Sequence, residues 1–122
     1  MDVVLTGHEV RDCEDGSRLV HLPFDGEAIG DLFQGKTLPG AADDQIHRNG
    51  QMETATADYV MEGTDFAGQR CSVHVINRFV NGSWKPSVTT DSKVLDFLNT
   101  ADCTALLEIR FKGPVVHIFA KR

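Results

Sequence analysis

The densest run of side chains able to move protons or hold polar groups is Ala41-Ala42-Asp43-Asp44-Gln45-Ile46-His47-Arg48. Successive side chains of a strand point to opposite faces, so Asp43, Gln45 and His47 share one face. Turned into a barrel, that face would desolvate Asp43, raise its pKa and suit it to accepting a proton from a bound molecule. Turned outward, the segment would be a solvated strand beside a turn. Tyr59 is the only tyrosine and Trp84 the only tryptophan. A buried tyrosine hydroxyl needs a partner, which is either a ligand oxygen or, for an ordinary core tyrosine, the rim of the fold. Asn77 ends an apolar run, where a buried amide must find hydrogen bonds from backbone, a turn or a ligand. Trp84-Lys85-Pro86 suits the lip of a pocket or a contact between subunits. The expected site therefore has Asp43 as proton acceptor, Tyr59 as donor to a developing oxyanion, and Gln45, Asn77 and Trp84 as ligand-binding groups.

Other chemistries are less well served by the residue spacing. His8, His21, His47, His74 and His117 all fall in expected strands, and a barrel that gathered three of them would hold a metal. The His-x-His followed by Glu of metal-binding cupin barrels is absent. Gly30, Gly35 and Gly40 match neither a P-loop nor a dinucleotide fingerprint, and no helical pattern follows them directly. Cys13, Cys71 and Cys103 are odd in number and far apart, which suits reduced thiols, with Cys71 and Cys103 behaving as small hydrophobes. Neither a metal nor a cofactor is expected.

The elements that must position these side chains are strands. Turn signals recur at Glu14-Asp15-Gly16, Asp25-Gly26, Asn49-Gly50, 64–68, Asn81-Gly82 and Lys112-Gly113-Pro114. Between them the patterning predicts strands over 3–10, 17–24, 42–48, 52–62, 70–79, 105–111 and 115–121. In 52–62, Ala55, Ala57, Tyr59 and Met61 share one face, opposite Thr54, Thr56, Asp58 and Glu62. In 70–79, Cys71, Val73, Val75 and Asn77 share one face, while the other carries Ser72, His74, Ile76 and Arg78. The Gly-rich stretch 29–38 reads as an irregular loop or as short bulged strands. Residues 91–101 read as one short helix, with Asp91 as its N-cap and Val94, Phe97, Leu98 and Ala101 as its apolar stripe. The expectation is a mainly β chain, residues 1–122 forming a single antiparallel β-barrel domain with one short helix near residues 91–101.

Composition bounds the rest. The 122 residues suit one core, and 41% hydrophobic with 25% charged residues is ordinary for a globular chain. A formal charge of −6 opposes a phosphate backbone, so no nucleic-acid partner is expected. No apolar run approaches the ~20 residues of a membrane span, and the first residues lack the basic start of a signal peptide. A cytoplasmic chain away from membranes is the expectation.

These residues together resemble the domain of unknown function 3237 family, uncharacterised bacterial and fungal proteins. The resemblance runs through Gly26 to Gly30, Phe33 to Gln45, Ala57 to Gly63, Gly68 to Cys71, Asn77, Lys85-Pro86 and Thr89 to Ser92, and so covers nearly the whole chain. It implies a calycin-like or allene-oxide-cyclase-like barrel, brings no established activity, and makes Asp43 to Gln45 and Tyr59 part of a family pattern. Two positions depart from that pattern: Asp58 stands where the family usually has arginine, and Ile76 where it often has glutamate. Any site built on that arginine or glutamate would be altered here. Two functions lead, with a metal-dependent barrel enzyme third. One is a small-molecule-binding barrel acting without a cofactor as an isomerase, cyclase or lyase on a carbonyl or aromatic metabolite. The other is a non-catalytic module that works through a homo-oligomeric interface.

Overall fold

In the computed structural model, which describes residues 1–111 and 113–121, the alternating patterns become ten antiparallel strands of one sheet. They are β1 (Asp2–Leu5), β2 (Glu9–Asp12), β3 (Arg18–Ile29), β4 (Phe33–Thr37) and β5 (Ala42–Arg48), followed by β6 (Gln51–Asp65), β7 (Arg70–Val80), β8 (Ser83–Thr90), β9 (Asp102–Arg110) and β10 (Gly113–Lys121). Lys112, in the last expected turn, lies outside the described residues. The chain is a closed β-barrel with extra strands.

Two long strands organise it. β4 and β5 act as two halves of one broken strand between β3 and β6: β4 pairs their Glu27 and Glu62 region, and β5 their His21 and Thr56 region. On the other edge of β3, β1 and β2 divide the pairing in the same way. The sheet then runs β6, β7, β8 on one side and β1, β10, β9 on the other, and β9 returns alongside β8 to close the wall. Among the described residues no backbone ladder joins β8 to β9, so that seam is closed by packing. Pro86, which has no N–H to donate, sits in β8 opposite Asn77.

The inward faces fill with Val3, Phe24, Tyr59, Met61, Val73, Val75, Val88 and Cys103. Phe24 meets Tyr59 edge-on, with ring centres 5.5 Å apart. Each fully buried aliphatic or aromatic side chain contributes about 1.5–3 kcal/mol. Cys71 and Cys103 are buried free thiols whose pKa values burial pushes up, in keeping with a packing role. The two Asn-Gly hairpins form as expected, with Asn49 and Asn81 at φ 53° and 55° and Gly50 and Gly82 at 76° and 83°. Positive φ at both positions belongs to the tight turn whose twist matches the strands it joins.

Four local expectations need correction. Asp25-Gly26 is no turn but lies within β3; Gly26 stands where a Cβ would come within 2.7 Å of the Met1 sulfur, so glycine here admits a close neighbour rather than a reversal. The first expected strand is split, because Thr6 to His8 leave the ladder between β1 and β2. A strand the patterning did not predict, β8, holds Trp84. The expected helix over 91–101 shrinks to a single 3-10 turn, Asp96–Asn99. Its polar side chains are shared with other elements: Asp91 accepts from the Ser72 N–H at 2.8 Å instead of capping, Ser92 Oγ donates to Asp65 at 2.7 Å while accepting from the Leu95 N–H at 3.2 Å, and Asn99 accepts from the Thr90 N–H at 2.7 Å while donating to Asp96 at 3.0 Å. Leu95, outside the expected stripe, is the residue fully buried there, while Val94 is exposed. None of the helical structure is long and apolar enough to cross a membrane, which says nothing of strands.

Candidate functional site

Asp43, Gln45 and His47 alternate with exposed Asp44, Ile46 and Arg48 along β5, so the polar face is the inward one. Register then sets the site. Asp43 lies opposite Ala57 of β6, and Ala57 lies opposite Asn77 of β7, giving a row Asp43–Ala57–Asn77 across three strands. The methyl group of Ala57 leaves space between two longer polar side chains. Tyr59 follows two residues on along β6 with its ring turned inward, and Trp84 of β8 stands opposite Phe79, the rings 5.2 Å apart.

That space is a cavity of about 200 Å³. All five expected site residues, Asp43, Gln45, Tyr59, Asn77 and Trp84, line it, and among the described residues they carry the hydrogen-bonding side chains of its wall. The remainder is apolar, including Leu22, Phe24, Leu107, Ile109 and Val116. Ile109 points inward, paired with Pro114, yet is 78% exposed, which marks an open, apolar mouth at this end of the barrel. Ligand pockets commonly start near ~300 Å³, so this one is small; a void of ~150 Å³ nevertheless holds benzene.

The polar groups are unequally satisfied. Gln45 donates through Nε2 to Asp43 Oδ2 at 2.8 Å and accepts through Oε1 from His47 Nε2 at 2.8 Å. This ladder along β5 fixes the Gln45 amide and the Nε2–H form of His47. Asp43 Oδ1, the Tyr59 hydroxyl and Asn77 Oδ1 are buried without a hydrogen-bond partner. Tyr59 is 3% and Asn77 4% exposed. Burial pushes the Asp43 carboxyl up, the Gln45 hydrogen bond pulls it back, Asp44 raises it and His47 lowers it. Burial alone pushes the Tyr59 phenol well above its ordinary range, so Tyr59 keeps its proton and is a donor at any working pH.

His47, which alternation places on the face of Asp43 and Gln45, does not line the cavity and acts on it only through its hydrogen bond to Gln45. The apolar wall from β9 and β10 was beyond sequence reasoning, because which strands close a barrel is not written in their periodicity. Three other histidines are spread over the exterior: His21 pairs with Asp44, His74 with Asp58 at 2.7 Å and His117 with Glu108 at 3.0 Å. Among the described residues no three His, Cys, Asp or Glu side chains converge as metal ligands. Asp58 and Ile76, the two departures from the family pattern, stand opposite each other across β6 and β7 and do not line the cavity. Comparison with family models, with curated proteins and with solved structures returns no match for this chain.

Proposed function

We propose that this chain is a small-molecule-binding β-barrel that performs acid/base chemistry, as an isomerase, cyclase or lyase without a cofactor, on a small carbonyl or aromatic metabolite. The observation that carries the reading is that three residues each holding a buried, unpartnered polar atom, Asp43, Tyr59 and Asn77, line one largely apolar cavity. Each such atom costs about 1–3 kcal/mol when left unsatisfied, and a ligand bearing the complementary groups would remove that penalty. Asp43, raised by desolvation, takes a proton from carbon next to a carbonyl. The Tyr59 hydroxyl donates to the oxygen on which negative charge develops, and Gln45, Asn77 and Trp84 orient the molecule. The protonated Asp43 then returns its proton at another carbon, completing an isomerisation with no net oxidation or reduction. We also propose a cytoplasmic location, and membership of the domain of unknown function 3237 family on the resemblance of the residues quoted above.

Tyr59→Phe tests the reading. Removing the hydroxyl deletes an unpartnered buried group, so the melting temperature should stay within a few degrees, while turnover or ligand binding should be lost. Unchanged turnover in Tyr59→Phe would remove Tyr59 from the mechanism.

A second reading draws on one feature: Leu106 and Phe119 are 58% and 56% exposed on the β9–β10 hairpin, and Phe111 at its tip is fully exposed. Exposed large apolar side chains on one hairpin suit contact with a second copy of the chain. Gel filtration beside a thermal-shift screen of metabolites separates the two. A compact oligomer without ligand response favours the module, and stabilisation by a carbonyl or aromatic compound favours the pocket.

A further inference from the structure

The row Asp43–Ala57–Asn77 says more about the ligand than that it is small. Neighbouring strands are about 4.8 Å apart, so the two ends of the row are separated by roughly 10 Å between backbones. Asp43 and Asn77, whose Oδ1 atoms are acceptors buried without a donor, stand on either side of Ala57 in this row and line the cavity. Among the described residues the cavity wall contains no Lys, Arg or His side chain. The α-amino group of Met1, the cation next to it, donates to the Val116 carbonyl at 2.7 Å. An anionic ligand would therefore be desolvated beside a carboxylate with no side-chain cation to balance it. A cationic ligand would match Asp43 but would place its charge at one end only, leaving the far acceptor to a second donor. It would also hold Asp43 ionised and weaken it as a base.

Resting on the acid/base reading above, we infer that the cavity takes an uncharged molecule about the size of one substituted ring, with hydrogen-bond donors at its two opposite ends and an oxygen that accepts from Tyr59. A ring with a hydroxyl on each side has this form. One donor meets Asp43 Oδ1, the other meets Asn77 Oδ1, and the apolar ring lies across the Ala57 methyl group between Phe24 and the β9 wall. The volume sets the size: about 200 Å³ leaves room for a benzene ring and two short substituents.

Three shape-matched probes test the inference on the full chain by calorimetric titration: 4-hydroxybenzyl alcohol, 4-hydroxybenzoate and 4-hydroxybenzylamine. They differ in the charge of one substituent. The alcohol should bind at least about tenfold more tightly than either charged analogue, and phenol, which lacks the second donor, about tenfold more weakly than the alcohol. Asn77→Ala should erase the difference between the alcohol and phenol, and Ala57→Phe, which fills the gap with an apolar group, should abolish binding of all. Tighter binding of the benzoate or the amine, abolished by Ala57→Phe, overturns the charge assignment and leaves the pocket reading standing. Binding of none of them by a folded chain overturns both.

Discussion

Asp43→Asn should lower turnover by about 10²–10⁴-fold, the usual contribution of a positioned base, and should at the same time raise the melting temperature at neutral pH. The sign follows from the direction of the shift. Burial raises the pKa of Asp43 in the folded chain above its unfolded value. Well below the unfolded carboxylate pKa of ~3.9, the group is neutral in both states and desolvation exacts nothing. As the pH rises through the unfolded and then the folded pKa, the unfolded chain releases the proton more readily and stability is lost. Asparagine keeps an oxygen that can accept from Gln45 Nε2 and removes the charge. The variant's gain in melting temperature should therefore be largest at pH 7 and above and vanish toward pH 3, as measured by thermal unfolding across that range. A variant that is destabilised at neutral pH and equally active would end the account of Asp43 as a desolvated base.

Gly63→Ala should be the most damaging single methyl group in the chain. Gly63 of β6 faces Gly35 of β4, and a Cβ at position 63 would lie 1.8 Å from the Gln34 carbonyl oxygen and 2.6 Å from the Gly35 Cα. Both neighbours are backbone, so no rotamer change relieves the overlap and β4 must leave its place. A loss above about 4 kcal/mol is expected, read from denaturant unfolding, with little folded protein recovered. Gly30→Ala is the control: the nearest atom to its added Cβ is the Phe33 carbonyl oxygen at 3.7 Å, an ordinary contact, and stability should change by less than about 1 kcal/mol. The site depends on this packing. β4 runs through 38–41 into β5, and displacing it moves Asp43 and Gln45 relative to Tyr59.

The contrast between β5 and β8 explains what could be read without the structure. β5 appears with the bounds its alternation assigned, 42–48, because one face carries Asp43, Gln45 and His47 and a turn of positive φ follows directly at Asn49-Gly50. The same alternation put Tyr59 on one face with Ala55, Ala57 and Met61, and Asn77 on one face with Cys71, Val73 and Val75; burial in the structure shows that these are the inner faces. β8, Ser-Trp-Lys-Pro-Ser-Val-Thr-Thr, has two buried residues, Pro86 and Val88, amid polar ones, and proline argues against a central strand. It is tolerated because the edge it would disrupt faces β9 without a ladder. β4 was ambiguous for a related reason: Gly35 carries no side chain to register a face, and its role, close approach to Gly63, exists only once β6 lies beside it. The helical pattern over 91–101 was overridden by tertiary hydrogen bonds from Asp91, Ser92 and Asn99. That the polar face of β5 turns inward, the question on which the whole site depends, is settled by pairing on both of its edges rather than by any residue within it.

The small methyl group between Asp43 and Asn77 has a consequence for how such a protein changes over generations. Reactive groups stand on β5 and β7, while the room for a ligand is set by one position on the strand between them. Ala57→Gly or Ala57→Ser would alter the size of the molecule admitted without touching a proton-handling group, and a laboratory selection begun at that codon can explore new ligands while the original chemistry is kept.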